Sequence, residues 1–381
     1  MSNPILMNID RRTWMKQSLL ASATVLLAGA PIAKGCASER RSSELPLSED
    51  LLLLNWNENP YGPPASAVKA VNDCMEKANR YPDELIKSLK EKIAGINGLK
   101  SENVLLTSGS TEVLSLLGQH AGLQKGEIVT PYPTFPTALE FGERFGAKIQ
   151  KVPLGDNDQI DFDQTIDNIS SKTSLVFICN PNNPTGTEVK TEDLKSFCRQ
   201  VPEDVLVCID EAYIEYSNAG LAGSMVSLIS ELPNLLVVRT FSKAYGLAGL
   251  RLGYVMSNAA NISALSRRHL GFEVSTGWPP LAAAEAALDD KNFLNSCLTK
   301  NQEGREIVYR AFDEWGVAYN PSSTNFIYAK QEHFEKHVVA YLEAVGILIT
   351  KWPDMYDHIR ISIGKPADML RFVEAIDDFR V

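Results

Sequence analysis

Thr240-Phe-Ser-Lys-Ala-Tyr-Gly-Leu-Ala-Gly-Leu-Arg-Leu-Gly-Tyr254 is the stretch on which the fold turns. The apolar run before it, Leu235-Leu-Val-Val-Arg239, is bounded by Pro233 and Asn234 and reads as a buried strand. A strand ending in Thr-Phe-Ser-Lys puts Ser242 and Lys243 at the carboxyl edge of a sheet, where α/β proteins bind ligands. Gly246, Gly249 and Gly253 leave the next segment open to close backbone approach, and Arg251 comes within reach of the same edge. An amine at such an edge can condense with an aldehyde. A hydroxyl and a guanidinium beside it can hold a phosphate.

An aldehyde and a phosphate carried by one molecule point to pyridoxal 5′-phosphate, and other stretches supply what that cofactor needs. Leu175-Val-Phe-Ile-Cys179 reads as a second buried strand, and Asn180-Pro-Asn-Asn-Pro-Thr-Gly186 then forces a non-helical turn from which Asn183 can aim its amide at a ring oxygen. Val205-Leu-Val-Cys-Ile209 leads into Asp210-Glu-Ala-Tyr213. An aspartate at the end of an apolar strand is costly without a partner, and a protonated pyridinium nitrogen is one. Tyr213 can donate to the same ring oxygen as Asn183. Upstream, the strand Val104–Thr107 runs into Ser108-Gly-Ser-Thr-Glu, a turn that opens a helix. Its free N–H groups suit an anion, so Ser110 and Thr111 join Ser242 and Arg251 as phosphate contacts. Strands ending in Asn183, Asp210 and Lys243 imply a mainly parallel sheet with its reactive groups on one edge.

These motifs, in this order over nearly all of residues 51–366, resemble the class I/II (fold type I) aminotransferases, and among them the histidinol-phosphate aminotransferase subgroup. The resemblance implies a large domain built on a mainly parallel, seven-stranded-type sheet with a smaller α+β domain beside it. It implies transfer of an amino group between a small-molecule amino donor and a 2-oxo acid acceptor, with Lys243, Asp210 and Tyr213 as catalytic residues. Leu54-Asn-Trp-Asn-Glu-Asn-Pro-Tyr61 is similar to the subgroup's entrance arm, which makes Asn59 and Tyr61 candidate substrate contacts. Asn79-Arg-Tyr-Pro82 carries Tyr81, which by resemblance crosses a homodimer interface to the neighbour's cofactor phosphate. Phe135 in Pro133-Thr-Phe matches the ring stacked on the pyridine face, an interaction worth on the order of 1 kcal/mol. Arg360, in the strand-like Ile359-Arg-Ile-Ser-Ile-Gly364, matches the fork that holds the donor's α-carboxylate.

One element departs from the subgroup. Where its members place an arginine after a Gly-Ile-Leu-Val element, this chain has Gly346-Ile-Leu-Ile349 followed by Thr350 and Lys351. Lys351 can act as a point charge on a substrate phosphate but has no guanidinium fork. Trp352 and Tyr356 suggest an aromatic donor instead. Two alternatives stand beside the aminotransferase: a decarboxylase of the threonine-phosphate type, and a non-catalytic envelope protein that binds the cofactor.

The chain has 381 residues, 44% apolar and 22% charged, with a net charge of −10, which argues against nucleic acid or an anionic membrane as partner. Its amino terminus differs in kind. Asp10-Arg-Arg-Thr-Trp-Met-Lys16 precedes the apolar stretch Ser18–Ala30, and the paired arginines resemble a twin-arginine export signal. The expectation is a leader over 1–38 and a periplasmic enzyme with no membrane span once the leader is removed. Ala33-Lys-Gly-Cys36 faintly resembles a lipoprotein site, so the exported protein could also carry a lipid anchor at Cys36. The remaining segments are an arm with part of the small domain over 39–75, the large cofactor domain over 76–275 and the small domain over 276–381. No spacing among the six cysteines suggests a disulfide framework or a metal site.

Overall fold

The computed structural model describes residues 51–269, 276–330, 334, 337–350 and 358–380. Its largest element is a seven-stranded sheet of β2 (Val104–Thr107), β3 (Glu127–Tyr132), β4 (Lys148–Pro153), β5 (Thr173–Cys179), β6 (Leu206–Asp210), β7 (Leu235–Thr240) and β8 (Gly253–Ser257). The strand order is β2-β8-β7-β6-β5-β3-β4. β4, β3, β5, β6 and β7 pair in parallel, with Cys179 opposite Asp210 and Asp210 opposite Val238. Val, Ile, Leu and Phe fill β5 and β7, the near-continuous apolar run of a sheet covered on both faces.

β8 is antiparallel to both β7 and β2. The strand runs through Tyr254, Val255, Met256 and Ser257, all buried between β7 and β2. Because β8 reverses direction, β2 again runs parallel to β7. Its carboxyl end, and the helix α3 (Ser110–Leu123) that follows, therefore reach the edge that carries Asp210 and Lys243.

A second core is built from β1 (Leu52–Leu54), β9 (Phe326–Lys330), β10 (Ile347–Ile349) and β11 (His358–Ser362), with β1 parallel to β10 and β11 antiparallel to β9. Tyr319 joins β9 by a single antiparallel bridge to Ala329. Leu52, Leu54, Phe312, Ile359, Ile361 and Phe372 pack together there, so the arm's first turn is tied to the carboxyl-terminal third of the chain. The helical stretch expected over Leu281–Phe312 is two helices, α8 (Trp278–Asp289) and α9 (Lys291–Trp315). Asp290 divides them and caps the second by accepting from Phe293 N at 3.0 Å. Leu281, Ala283 and Ala284 of α8, and Ala67 of α1 (Ala65–Cys74), belong to the core of the large sheet. Among the described residues no helix is long and apolar enough to cross a membrane, and none group into a metal-binding cluster.

Candidate active site

A cavity of about 1040 Å³ opens where the carboxyl ends of β2, β5, β6 and β7 meet the second core. Lys243, Asp210, Tyr213, Asn183, Ser242, Arg251, Ser110, Thr111, Phe135 and Arg360 all line it, so ten of the sequence-derived candidates share one space. Asp210 is 1% exposed and its carboxylate accepts from Ala212 N at 3.1 Å. Burial pushes it up to about 7, with the neighbouring Glu211 charge in the same sense and the Lys243 charge against it. Lys243 is half-buried and donates to the Trp56 carbonyl at 3.0 Å. Burial pulls its ammonium down to about 7, helped by the Arg360 and Arg251 charges and opposed by Glu58 and Asp210. An amine so placed is largely unprotonated just above neutrality and therefore nucleophilic.

One end of the cavity is built for an anion. Gly109 precedes α3 with φ 74° and ψ 167°, and no side chain caps the helix's first N–H groups. A Cβ at Gly109 would lie 2.5 Å from Arg251 Nη2, so only glycine lets the guanidinium lie against that turn. Arg251 itself sits at φ 54° and donates through Nη1 to Ser242 Oγ at 3.3 Å and to the Ala248 carbonyl at 3.1 Å. Positive helix end, guanidinium and the hydroxyl-bearing residues Ser110, Thr111 and Ser242 converge on one spot. A phosphate fits there, and an acidic group pushed up by burial stands ready for a ring cation deeper in. The residues present fit pyridoxal phosphate.

The opposite wall is built around Arg360. Arg360 is buried and donates through Nη1 to Asn183 Oδ1 at 2.7 Å, and through Nη2 to the Asn55 carbonyl at 2.9 Å and Thr350 Oγ1 at 3.3 Å. The bond to Asn183 leaves that residue's Nδ2 as the donor for a ligand. Tyr213 O–H accepts from Asn57 Nδ2 at 3.1 Å, and its ring packs edge-on against Phe326 at 5.3 Å.

Asn59 and Tyr61, expected at the substrate, do not line this cavity. Asn59 is structural: its Nδ2 donates to the Ala244 carbonyl at 2.9 Å, and its Oδ1 accepts from Tyr61 N. Tyr61 turns toward Tyr216, Cys297 and Asn301 instead. The arm contributes Asn55, Trp56, Asn57 and Glu58. These four are consecutive, and Asn57 at φ 54° bends the arm so that all of them reach the cavity. Tyr81 is 78% exposed and lies outside the cavity of this single chain. Lys351, Trp352 and Tyr356 lie outside the described residues, as does everything before residue 51.

The family model for aminotransferase class I and II matches residues 49–376. The chain belongs to that family. It is 36% identical over 338 residues to histidinol-phosphate aminotransferase 1 of Bacillus cereus, covering 86% of this chain and 88% of the relative. It is also 36% identical over 349 residues to the histidinol-phosphate aminotransferase of Geobacillus thermodenitrificans, covering 91% and 94%. Among solved structures it resembles the Sinorhizobium meliloti histidinol-phosphate aminotransferase in complex with pyridoxal-5′-phosphate. That match has a TM-score of 0.78 and 28% identity over 86% of this chain and 90% of that one. The fold type I architecture, the transaminase class and the pyridoxal phosphate cofactor expected from the motifs follow with the family. Five of this aminotransferase's cysteines, Cys74, Cys179, Cys198, Cys208 and Cys297, are buried free thiols. Burial pushes Cys179 and Cys208 well up, so both pack as small hydrophobes.

Proposed function

We propose that this aminotransferase takes its amino group from an α-amino acid or amino-acid-like amine other than histidinol phosphate and passes it to a 2-oxo acid. The roles rest on one observation: Lys243, Asp210, Asn183 and Arg360 face a single cavity whose far end is an anion cradle. Bound there, pyridoxal phosphate supplies an aldehyde that captures the amine and a ring that accepts the electrons released at the donor's Cα. Ser110, Thr111, Ser242 and Arg251 would hold its phosphate, Asp210 its ring nitrogen, Asn183 and Tyr213 its phenolic oxygen, and Phe135 its ring face. Lys243 Nζ would take the proton from the donor's Cα and deliver it to the former aldehyde carbon on the other side of the amine nitrogen. Arg360 holds the donor's carboxylate.

The choice of donor rests on Thr350. Its hydroxyl donates to the Asn55 carbonyl and accepts from Arg360, so the wall beside Arg360 is a neutral hydroxyl. A carboxylate is matched by one guanidinium, whereas a phosphate dianion gains from a second. The deciding experiment presents histidinol phosphate and aromatic, basic and acidic amino acids to the holoenzyme and follows bleaching of the bound cofactor's visible absorbance. Bleaching by an amino acid supports the reading, and bleaching by histidinol phosphate alone overturns it. Lys243→Ala abolishes turnover with every donor; normal turnover in that variant would remove Lys243 from its role.

Two further assignments belong to this reading. The first is a homodimer in which Tyr81, projecting from this chain's surface, reaches the partner's cofactor phosphate. Sedimentation and cofactor affinity of Tyr81→Phe test it, a monomer with full cofactor occupancy being the contrary result. The second is export by the twin-arginine route on Arg11 and Arg12, which gives a periplasmic enzyme. Cell fractionation of the Arg11→Lys/Arg12→Lys double variant tests that. Retention in the cytoplasm supports it, and undisturbed export points to another route.

A further inference from the structure

Behind Asp210, on the far side of the strand ends, lies a buried ion pair that does not line the cavity. Arg239 and Glu211 are each 2% exposed, and Arg239 Nε donates to Glu211 Oε2 at 2.9 Å. Every arm of the pair is bonded. Arg239 Nη2 donates to Ser224 Oγ at 2.7 Å and Nη1 to Asn97 Oδ1 at 3.1 Å. Glu211 Oε1 accepts from Met225 N at 2.8 Å, and the Ser224 hydroxyl lies 2.8 Å from Oε2.

The two residues stand at telling places in the chain. Glu211 directly follows Asp210 at the end of β6, and its N–H donates to the Val238 carbonyl of β7 at 2.8 Å. Arg239 is in the last turn of β7, next to Thr240, whose Oγ1 accepts from Ser242 N at 3.1 Å and lies 3.0 Å from Ser242 Oγ. Lys243 comes next. The pair thus ties together the two strand ends that carry the ring-nitrogen partner, a phosphate hydroxyl and the lysine. Side chains alternate along a strand, so a pair on the hidden face can do this without entering the cavity.

The charges point the same way. Glu211 is a second negative charge beside Asp210 in a region poor in water, and such a neighbour opposes Asp210's ionisation. Burial alone would pull Arg239 down, yet Glu211 overrides it and holds the guanidinium charged. Glu215, Tyr245 and Tyr254 also face this pair, and Lys243, Cys179, Cys208 and Tyr213 face Asp210.

We infer that Arg239 and Glu211 are positioning residues. By this inference their ion pair fixes the β6 and β7 ends in the spacing the cofactor requires, and Arg239 cancels the Glu211 charge so that Asp210 stays available as an anion. The inference rests on the role given to Asp210 above. A structural anchor alone would change stability; this one also sets how Asp210 titrates.

The test is carboxyl ¹³C NMR of the full chain carrying labelled aspartate, with the Asp210 signal identified by its loss in Asp210→Asn, alongside pyridoxal phosphate affinity against pH. Glu211→Gln is expected to lower the Asp210 midpoint by roughly one pH unit, and Arg239→Gln to raise it by a similar amount. Arg239→Lys keeps the charge but loses the fork. It is expected to leave the midpoint in place and weaken cofactor binding about tenfold. Opposite shifts in the two uncharged variants support the inference, and unmoved midpoints overturn it. If neither uncharged variant folds, Arg239→Lys decides: weakened binding at an unchanged midpoint supports the pair's role, and wild-type behaviour in both measurements overturns it. If Asp210→Asn leaves the pH profile of cofactor affinity untouched, the role given to Asp210 has failed, a result distinct from failure of the pair.

Discussion

Gly109→Ala isolates the anion cradle in one methyl group. The backbone there, at φ 74° and ψ 167°, lies in a region open almost only to glycine, and holding an alanine in it costs on the order of 1–3 kcal/mol. The new Cβ would stand 2.5 Å from Arg251 Nη2 and 3.2 Å from its Cζ. The guanidinium is the far end of a flexible side chain, so it swings away and the helix turn survives. What is lost is one charge-assisted contact to the phosphate, worth about 1.5–3 kcal/mol. Cofactor affinity should therefore fall roughly tenfold to a hundredfold. The assay titrates pyridoxal phosphate into cofactor-free protein and follows the visible absorbance, with a thermal melt of each variant beside it. Gly98→Ala is the control, because Gly98 also has positive φ, at 67°, but open space around it. It should lose stability and keep its affinity. A Gly109→Ala protein that melts lower yet binds the cofactor within about twofold of wild type would refute the cradle, whatever the family resemblance says.

Arg360→Lys should raise KM for amino-acid donors roughly ten- to a hundredfold with a smaller effect on kcat, since a lysine cannot reproduce the fork that spans Asn183, Asn55 and Thr350. Unchanged KM would move the carboxylate site elsewhere. Glu215 is 8% exposed, and burial pushes it up to about 7 from 4.5. The folded state then holds a proton there that the unfolded state has released, so this group's contribution falls as pH rises from 4.5 to about 7. Glu215→Gln should remove up to about 1.4 kcal/mol per pH unit of that slope, measured by urea unfolding across the window. Parallel slopes in wild type and variant would show that Glu215 does not titrate there.

Asp210 was legible in the sequence because it closes an apolar run that cannot bury it without a partner, and Asn183 and Lys243 because they stand in the short turns just past two other such runs. Period and polarity suffice for that, since the strand and its terminus are local. Arg251 and Ser110 were legible for a related reason: glycines beside them marked backbone that must approach something closely. Arg360 was readable as a charged residue between apolar neighbours of one strand, Ile359 and Ile361, which pack into the second core while it faces the cavity.

The arm was misread in detail although its motif was plain. Asn59 and Tyr61 looked like substrate contacts, but which face of an extended segment meets the site depends on where it docks. β1 docks by pairing with β10, almost 300 residues away in the chain. The same long-range contact brings Trp56's carbonyl to Lys243 and Asn57's amide to Tyr213. No local pattern encodes such pairings. The antiparallel β8 was hidden too, because a short buried apolar run carries no period that separates strand from helix. The Glu211–Arg239 pair was invisible for the same kind of reason: its partners come together only when two strands lie side by side. The sequence alone determined which polar groups stand at or just past the ends of which apolar runs, because those choices follow from the cost of polar atoms inside such runs. Only the tertiary structure decided what surrounds them, because neighbours across a sheet or between two cores are set by packing over the whole chain.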